Sequence, residues 1–449
     1  MATYSAGSLS ANGARTPGSS NTDFHTRRLF DFSDRVADLA PDESPFFVYL
    51  SKVAKVPTSD SQFRFLEDRT KISITDRAFL LKGAQTIAAA GSNTDILFDT
   101  SGGASVSWLV PGMVITVGEA DDGLQPAFCQ VRVNSVVQNS ADTTATCTTI
   151  ANANADSLSA QNNVNCTVIG TAFEEGSGAP DVWSQKLDHD YGYTQIFKTA
   201  AEMTNTSRAT VYRGYSNEWE RIWNLKLREH KVDIERAMLL GMRGSQNSIN
   251  YTDGITGHII ANSQTEVEAA NGGAQVSYTE DKAYFKSILA SEWSYDDLLT
   301  DLEVIFDPAR GGTSSKLALA SLPVISHFNK MGSGGFIDNS GASTQMAYNF
   351  DRVQGAFGHN VTKLETVHGD ISLIREPLFR GMASGFMALV DLDHVAYRPL
   401  VGNGLNRDTS ITTNVQQADE DLRKDMILTE AGLEITLPET HALFNLEGV

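Results

Sequence analysis

The residues that could carry chemistry in this chain are few and scattered. Asp188-His189-Asp190 and Asp391-Leu392-Asp393-His394 set carboxylates beside imidazoles, the donor types of a metal site. Neither run has a third or fourth ligand at a usual spacing, so both read better as hydrogen-bonding residues of turns and strand ends. Gly332-Ser-Gly-Gly-Phe336 is as glycine-rich as a phosphate cradle but lacks a following Lys-Ser/Thr. A flexible loop over residues 331–341 is the expectation. The zinc-protease H-E-x-x-H and the hydrolase G-x-S-x-G are both missing from the sequence. His230 falls on the apolar side of a helical pattern, where a buried histidine with its hydrogen bonds satisfied is the default. Cys129, Cys147 and Cys166 fit neither a zinc knuckle nor a disulfide framework, being odd in number and widely spaced. They read as small, reduced, buried apolar residues on which stability does not depend. The sequence therefore points to no catalytic, cofactor-binding or metal residues, and to a protein that is not an enzyme.

The element that dominates the chain is instead a helix over residues 217–243. It has no proline and is rich in good helix formers. Asn217 can cap it, with Glu220 in the capping-box position, and Gly241 or Gly244 can end it in a left-handed turn. About 25 residues at ~1.5 Å each span roughly 37 Å. Trp219, Ile222, Trp223, Leu227, Ile234, Ala237, Met238 and Leu240 fall on one broad side, while Leu225, Val232 and Leu239 form a narrow second stripe. A surface helix needs only one apolar side. Two sides suggest packing against its own domain and against something else.

The chain has 449 residues and is 41% hydrophobic, enough for several cores. Its formal net charge is −20, which argues against broad non-specific binding of nucleic acid. The N-terminus lacks the basic start and apolar run of a secretory signal, and no window approaches the ~18 apolar residues of a membrane span. Residues 1–23 are polar and of low complexity. Such a stretch buries too little apolar surface to offset its own ordering, at roughly 1–2 kcal/mol per residue, so order there requires an outside surface such as a neighbouring copy.

Residues 1–57 read as an N-terminal arm of short amphipathic pieces, with Phe32, Val36, Leu39, Phe46, Phe47, Leu50 and Val53 as anchors. Residues 58–90 and 171–200 read as the two sides of a long hairpin. Between them, residues 91–170 change composition, with seven acids against the single base Arg132. Short β-type runs recur there at 95–98, 105–110, 113–117, 129–137, 143–150 and 164–169, divided by turn residues such as Pro111-Gly112, as in a small inserted all-β domain. Beyond the long helix, residues 251–276 read as glycine- and asparagine-rich strand and turn. Ser294 caps a helix carrying Leu298, Leu299, Leu302 and Ile305. A strand at 316–320, a helix from Ser321 to Met331, and strands at 361–366, 371–375, 386–392 and 394–398 follow. One more strand at 427–437 closes an α+β arrangement.

This order of parts resembles the major capsid protein of tailed bacteriophages, the HK-ninety-seven-type fold, and within it the SU-ten-like family. Val36-Ala-Asp-Leu-Ala-Pro-Asp-Glu-Ser-Pro-Phe-Phe47 and Pro57-Thr-Ser-Asp-Ser-Gln-Phe63 look like that family's opening. Tyr193-Thr-Gln-Ile-Phe-Lys198, with the helix ending Asp233-Ile-Glu-Arg-Ala-Met-Leu-Leu-Gly-Met-Arg243, is similar to its central stretch. Glu365-Thr-Val-His-Gly-Asp370 and Leu392-Asp-His-Val-Ala-Tyr-Arg-Pro-Leu400 look like its axial domain, although His368 stands where an aromatic residue is expected. The resemblance implies an N-arm (1–57), an E-loop (58–90 and 171–200) carrying the β-insert (91–170), a peripheral domain (201–290 and 419–449) with the spine helix, and an axial domain (291–418). It implies self-assembly through hexamers and pentamers into an icosahedral shell around double-stranded DNA, with no sequence-specific DNA contact, no membrane and no cofactor. It further implies a place in the virion, assembly in the host bacterial cytoplasm, and portal, cement or separate scaffolding proteins as partners. A tail-tube or surface-fibre subunit is the alternative, but neither needs the spine helix or the arm. Removing residues 1–28 is expected to leave soluble capsomers that fail to form stable shells, as seen by electron microscopy with heating. Heat-resistant shells from the truncated chain would contradict the role given to the arm.

Overall fold

Strands predominate among the described residues of this mixed α/β chain. The computed structural model describes residue 46 and residues 55–68, 78–99, 108–118, 128–138, 142–152, 158–160, 164–181, 187–212, 217–263, 283–337, 350–354 and 360–448. The polar arm over residues 1–28 and its proposed helical pieces lie outside the described residues, apart from Phe46.

The long helix runs Glu218–Leu240. Asn217 Oδ1 accepts the backbone N–H of Glu220 at 3.4 Å and satisfies one of the free donors of the first turn. The broad apolar side is buried only in the second half, at Ile234 and Met238; Trp219, Ile222, Trp223 and Leu227 are half-buried. Leu239, from the second stripe, is buried, whereas Leu225 is 53% exposed. The expected left-handed ending is not used: Gly241 is extended and donates to Ala237 O at 2.9 Å. Its lack of a side chain serves close packing instead. A Cβ on Gly257, in the helix Ile255–Asn262, would lie 2.1 Å from Gly241 O. That second helix replaces the strand and turn expected near residue 255; the rest of that expected region, 264–276, lies outside the described residues.

The long helix packs on a four-stranded sheet. Its axis is the strand Leu422–Ile435, longer at its start than the expected 427–437. One side pairs antiparallel with Gln195–Thr204, and the other is shared by Val395–Pro399 and Ser410–Thr412. Residues 55–58 lie along Val395–Pro399: Val56 N donates to Tyr397 O and Thr58 N to Pro399 O, both at 2.9 Å. Phe46 is fully buried in the core beneath the long helix.

A seven-stranded sheet follows, in the order Tyr284–Leu289, Ala442–Glu447, Phe386–Val390, Ser315–Ala320, Asp370–Arg375, Asn360–Glu365 and Phe350–Gln354. Its strands feed two cores by simple alternation. Leu317, Leu319, Ala388, Val390 and Leu443 face the core shared with the long helix. Ala318, Ala320, Met387, Leu389, Ala442 and Phe444 face a second core, with Leu298, Leu302 and Ile305 of the helix Tyr295–Ile305 and Val324 of the helix Leu322–Ile337. Both faces are covered, so the strands read as nearly continuous apolar runs. Ser294 starts the first of these helices with a full capping box to Asp297. The second helix runs on through Gly332 to Ile337, so the flexible loop expected from residue 331 is helical as far as 337.

The sheets cut across the boundaries drawn from sequence. Ala442–Glu447 and Tyr284–Leu289, assigned to the peripheral parts, belong to the seven-stranded sheet, whereas Val395–Pro399 and Ser410–Thr412, assigned to the axial part, belong to the other. Apolar alternation shows that a strand exists but not which sheet takes it.

Among the described residues the hairpin pairs Gln62–Glu67 antiparallel with Asp188–Tyr193. Of residues 78–90, placed in the hairpin from sequence, Ala78–Leu81 is instead a strand of a closed barrel, while Gln85–Ile87 pairs with Leu158–Ala160 and puts Ile87 in the barrel core. The barrel runs Ala78–Leu81, Asn93–Asp99, Asp142–Asn152, Phe128–Gln138, Met113–Gly118 and Asn165–Thr171, back to the first strand. Of the β-run expected at 105–110, residues 108–110 are not strand, yet Trp108 and Leu109 fill the barrel core. Phe79 meets Phe98 and Trp108 edge-on, at 4.6 and 5.8 Å between ring centres. Cys129, Cys147 and Cys166 are free and buried in this core. Burial pushes their thiols up to about 11, 12 and 12 respectively, so they stay protonated and weakly reactive at neutral pH. Ala78 pairs with Thr167, so the ingoing and outgoing strands of the barrel are neighbours. Replacing residues 78–171 by a short Gly-Ser linker should therefore leave the remaining chain folded, with cooperative unfolding by circular dichroism. A chain left unfolded by this replacement would show that the barrel is not a separate unit.

Candidate functional site

The candidate ligands singled out in the sequence do not converge. Asp188 and His189 are exposed on the hairpin, and Asp190 is half-buried. Asp190 Oδ1 accepts from Arg243 Nη1 at 2.5 Å, and the Arg243 guanidinium lies 4.6 Å over the Tyr191 ring. This clamp ties the chain just beyond the long helix to the hairpin. Asp391 is buried while Asp393 is exposed, and His394 Nδ1 lies 3.3 Å from Thr436 Oγ1. Among the described residues no three His, Cys, Asp or Glu side chains are placed to hold a metal ion.

His230 bridges the long helix to the four-stranded sheet. Its Nδ1 lies 2.9 Å from Thr199 Oγ1 and its Nε2 2.8 Å from Thr429 Oγ1. Burial holds its pKa below the ordinary value against the opposing charge of Asp233, so both ring nitrogens are used in structure by a neutral ring.

A second polar cluster, unseen in the sequence, lies at the end of the seven-stranded sheet. Lys316 has a fully buried side chain, with Nζ 3.7 Å from Asp391 Oδ2 and donating to Thr440 O at 2.7 Å. Asp391 Oδ2 also accepts from Thr313 N at 2.6 Å, and its Oδ1 from Asp393 N at 3.2 Å. Burial pushes the Asp391 carboxyl up, but these donors and the Lys316 ammonium outweigh it and hold it below the ordinary range. Burial draws Lys316 down, partly offset by Asp391. His441 Nδ1 accepts from Asp391 N at 3.1 Å, and its burial lowers its pKa to about 3. Asp301 similarly gathers Tyr284 Oη, Lys286 Nζ and Trp293 Nε1 at 2.7, 2.6 and 3.1 Å. Lys316, Asp391 and His441 stand far apart in the sequence, and the donors to Asp301 come from outside its own helix, so neither cluster forms a recognisable motif. The only sequence signal was a charged residue inside an otherwise apolar strand, as at Lys316.

The open features are apolar. Leu66 on the hairpin is 68% exposed and Met242 beyond the long helix 67% exposed. Ile249 and Tyr251 are exposed nearby, and the first half of the long helix keeps its tryptophans half-covered.

The chain belongs to the SU10 major capsid protein family, whose model matches residues 14–447. A major capsid protein of Pseudomonas phage PaMx41 is similar, with 33% identity over 137 residues, 29% of this chain. The match spans about a third of that relative's length, 32%. Among solved structures, the cyanophage A-1(L) capsid aligns with a TM-score of 0.46 and 10% identity, over 93% of this chain and 96% of the other. The capsid of a native GTA particle aligns with a TM-score of 0.44 and 9% identity, over 96% and 99%.

Asp391→Ala would strand a buried ammonium. It should cost about 3–5 kcal/mol in urea unfolding, whereas the paired replacement Lys316→Met with Asp391→Leu should cost clearly less. Equal losses from the single and double variants would show that the ion pair does not hold this corner.

Proposed function

We propose that this chain is the major capsid protein of a tailed bacteriophage, assembling with its own copies through hexamers and pentamers into an icosahedral shell around double-stranded DNA. The observation that carries this reading is the family match over nearly the whole chain, residues 14–447. In this reading the long helix is the spine of the peripheral domain and the hairpin is the E-loop of an HK-ninety-seven-type fold, with the barrel mounted on it. The seven-stranded sheet with its two covering helices forms the body of the axial domain. The exposed apolar residues of the hairpin and the half-covered start of the long helix suit contact with neighbouring copies.

Charge supports the same reading. With 55 acids against 35 bases, the chain repels a polyanion and would let DNA be packed against it without adhesion. A scaffolding, portal or cement protein is the further partner in this reading, the shell is part of the virion, and assembly takes place in the host bacterial cytoplasm. Purified chain examined by electron microscopy should show closed icosahedral shells. Tubes would favour a tail-tube subunit, and discrete small oligomers under all assembly conditions would overturn the shell.

A further inference from the structure

Among the described residues Asn247, Asn403 and Asn414 take left-handed backbone conformations, at φ 52°, 49° and 56°. Asparagine tolerates that region, and all three sit in turns. They differ in the residue that follows, which is Ser248, Gly404 and Val415 respectively. That residue governs one piece of chemistry. Its backbone nitrogen can attack the amide carbon of the asparagine side chain, and any side chain of its own hinders the approach. Glycine offers no such hindrance.

Asn403 and Gly404 form the two-residue tip of a hairpin between Val401–Gly402 and Leu405–Asn406. Gly404 has φ 79°, so both tip residues are left-handed, as in a type I′ turn, where Asn-Gly is a preferred pair. The tip is exposed, and a Cβ built on Gly404 would meet nothing within 4 Å. Neither the Asn403 side chain nor the Gly404 N–H has a hydrogen-bond partner among the described residues. The paired strands below the tip are two residues long each, so the tip opens locally at little cost.

We propose that Asn403-Gly404 is a site of covalent self-modification. With the tip open, the Gly404 nitrogen bonds to Asn403 Cγ, the Cγ–Nδ2 bond breaks, and Nδ2 leaves as ammonia with the proton given up by Gly404 N. Water then opens the cyclic imide. Attack at Cγ gives aspartate, and attack at the backbone carbonyl carbon gives isoaspartate, whose chain runs through the former side chain. Water is the co-reactant. Both products add a negative charge, and isoaspartate lengthens the tip by one backbone carbon. The tip adjoins the start of the described chain: Val401 N donates to Thr58 O at 2.8 Å, and a Cβ on Gly402 would lie 3.7 Å from Ser59. Modification therefore loosens the joint between residues 55–59 and the body.

The chain carries its own control. Asn247-Ser248 tips the hairpin of Gly244–Gln246 and Ile249–Tyr251 with φ 52° and 62°, the same conformation with a hindered nitrogen. Full-length chain held for weeks at pH 6 and at pH 8 can be read by peptide mass spectrometry, with fragment spectra assigning the residue. The Asn403 amide should be lost, faster at pH 8 because the deprotonated nitrogen attacks, giving both acid forms, while Asn247 and Asn414 remain amides. Gly404→Ser should preserve the Asn403 amide, and Ser248→Gly should make Asn247 reactive. Hydrogen exchange at Val401 should quicken in the aged chain. An Asn403 amide that lasts as long as that of Asn247 in the unaltered chain would overturn the proposal. Should Gly404→Ser fail to fold, Ser248→Gly decides, and an Asn247 that stays an amide there counts against it equally. Unchanged exchange at Val401 after modification would overturn the effect on the joint.

Discussion

Ten consecutive residue pairs join Gln195–Thr204 to Leu422–Ile435, and the rest of the structure depends on that ladder. One partner leads directly out of the hairpin and into the region of the long helix. The other continues toward the strand that enters the seven-stranded sheet. Thr429, in the middle of the ladder, reaches His230 on the helix, and Leu433 N bonds to Thr252 Oγ1 before the second helix. Hairpin, helix, arm residues 55–58 and the seven-stranded sheet thus share one reference. A register slip of one residue would turn every buried residue of the long strand to the wrong face.

Fixing that reference requires groups that hydrophobic burial cannot position. Apolar side chains supply most of the driving force, but they tolerate small displacements. Hydrogen-bonded groups in a core do not, because a buried partner left unsatisfied costs about 1–3 kcal/mol. His230 between two threonines, Lys316 with Asp391, and Asp301 with its three donors each join different elements. His230, expected from the sequence to be a buried histidine with its hydrogen bonds satisfied, is one of these joints.

Elements were legible in the sequence where the signal was local. Asn217 and Ser294 were recognisable as caps, and the barrel strands 93–99, 113–118, 128–138, 142–152 and 165–171 as alternating runs between turns. The helix Ile255–Asn262 escaped because it is buried on most sides, carries a glycine inside, and begins at Gly254 without a side-chain cap. The helix Leu322–Ile337 was cut short because Gly332-Ser-Gly-Gly normally breaks a helix. Pairing partners were the least legible. Nothing near Lys316 announces Asp391, and nothing near Glu235 announces Phe46, whose backbone N–H it accepts. These pairings follow from tertiary packing, as does the placing of Ala442–Glu447 inside a sheet whose other strands come earlier in the chain.

The two kinds of β-structure also keep different clocks during synthesis. The barrel closes within residues 78–171, so it can fold while the rest of the chain is still on the ribosome. The central ladder waits for residue 431, and the seven-stranded sheet for residue 447, because their partners stand far apart in the sequence. A nascent chain therefore presents a finished barrel on an unfinished body. It cannot offer a completed association surface to its neighbours until nearly all of it has been made, so neighbouring copies on one messenger would be kept from joining half-built.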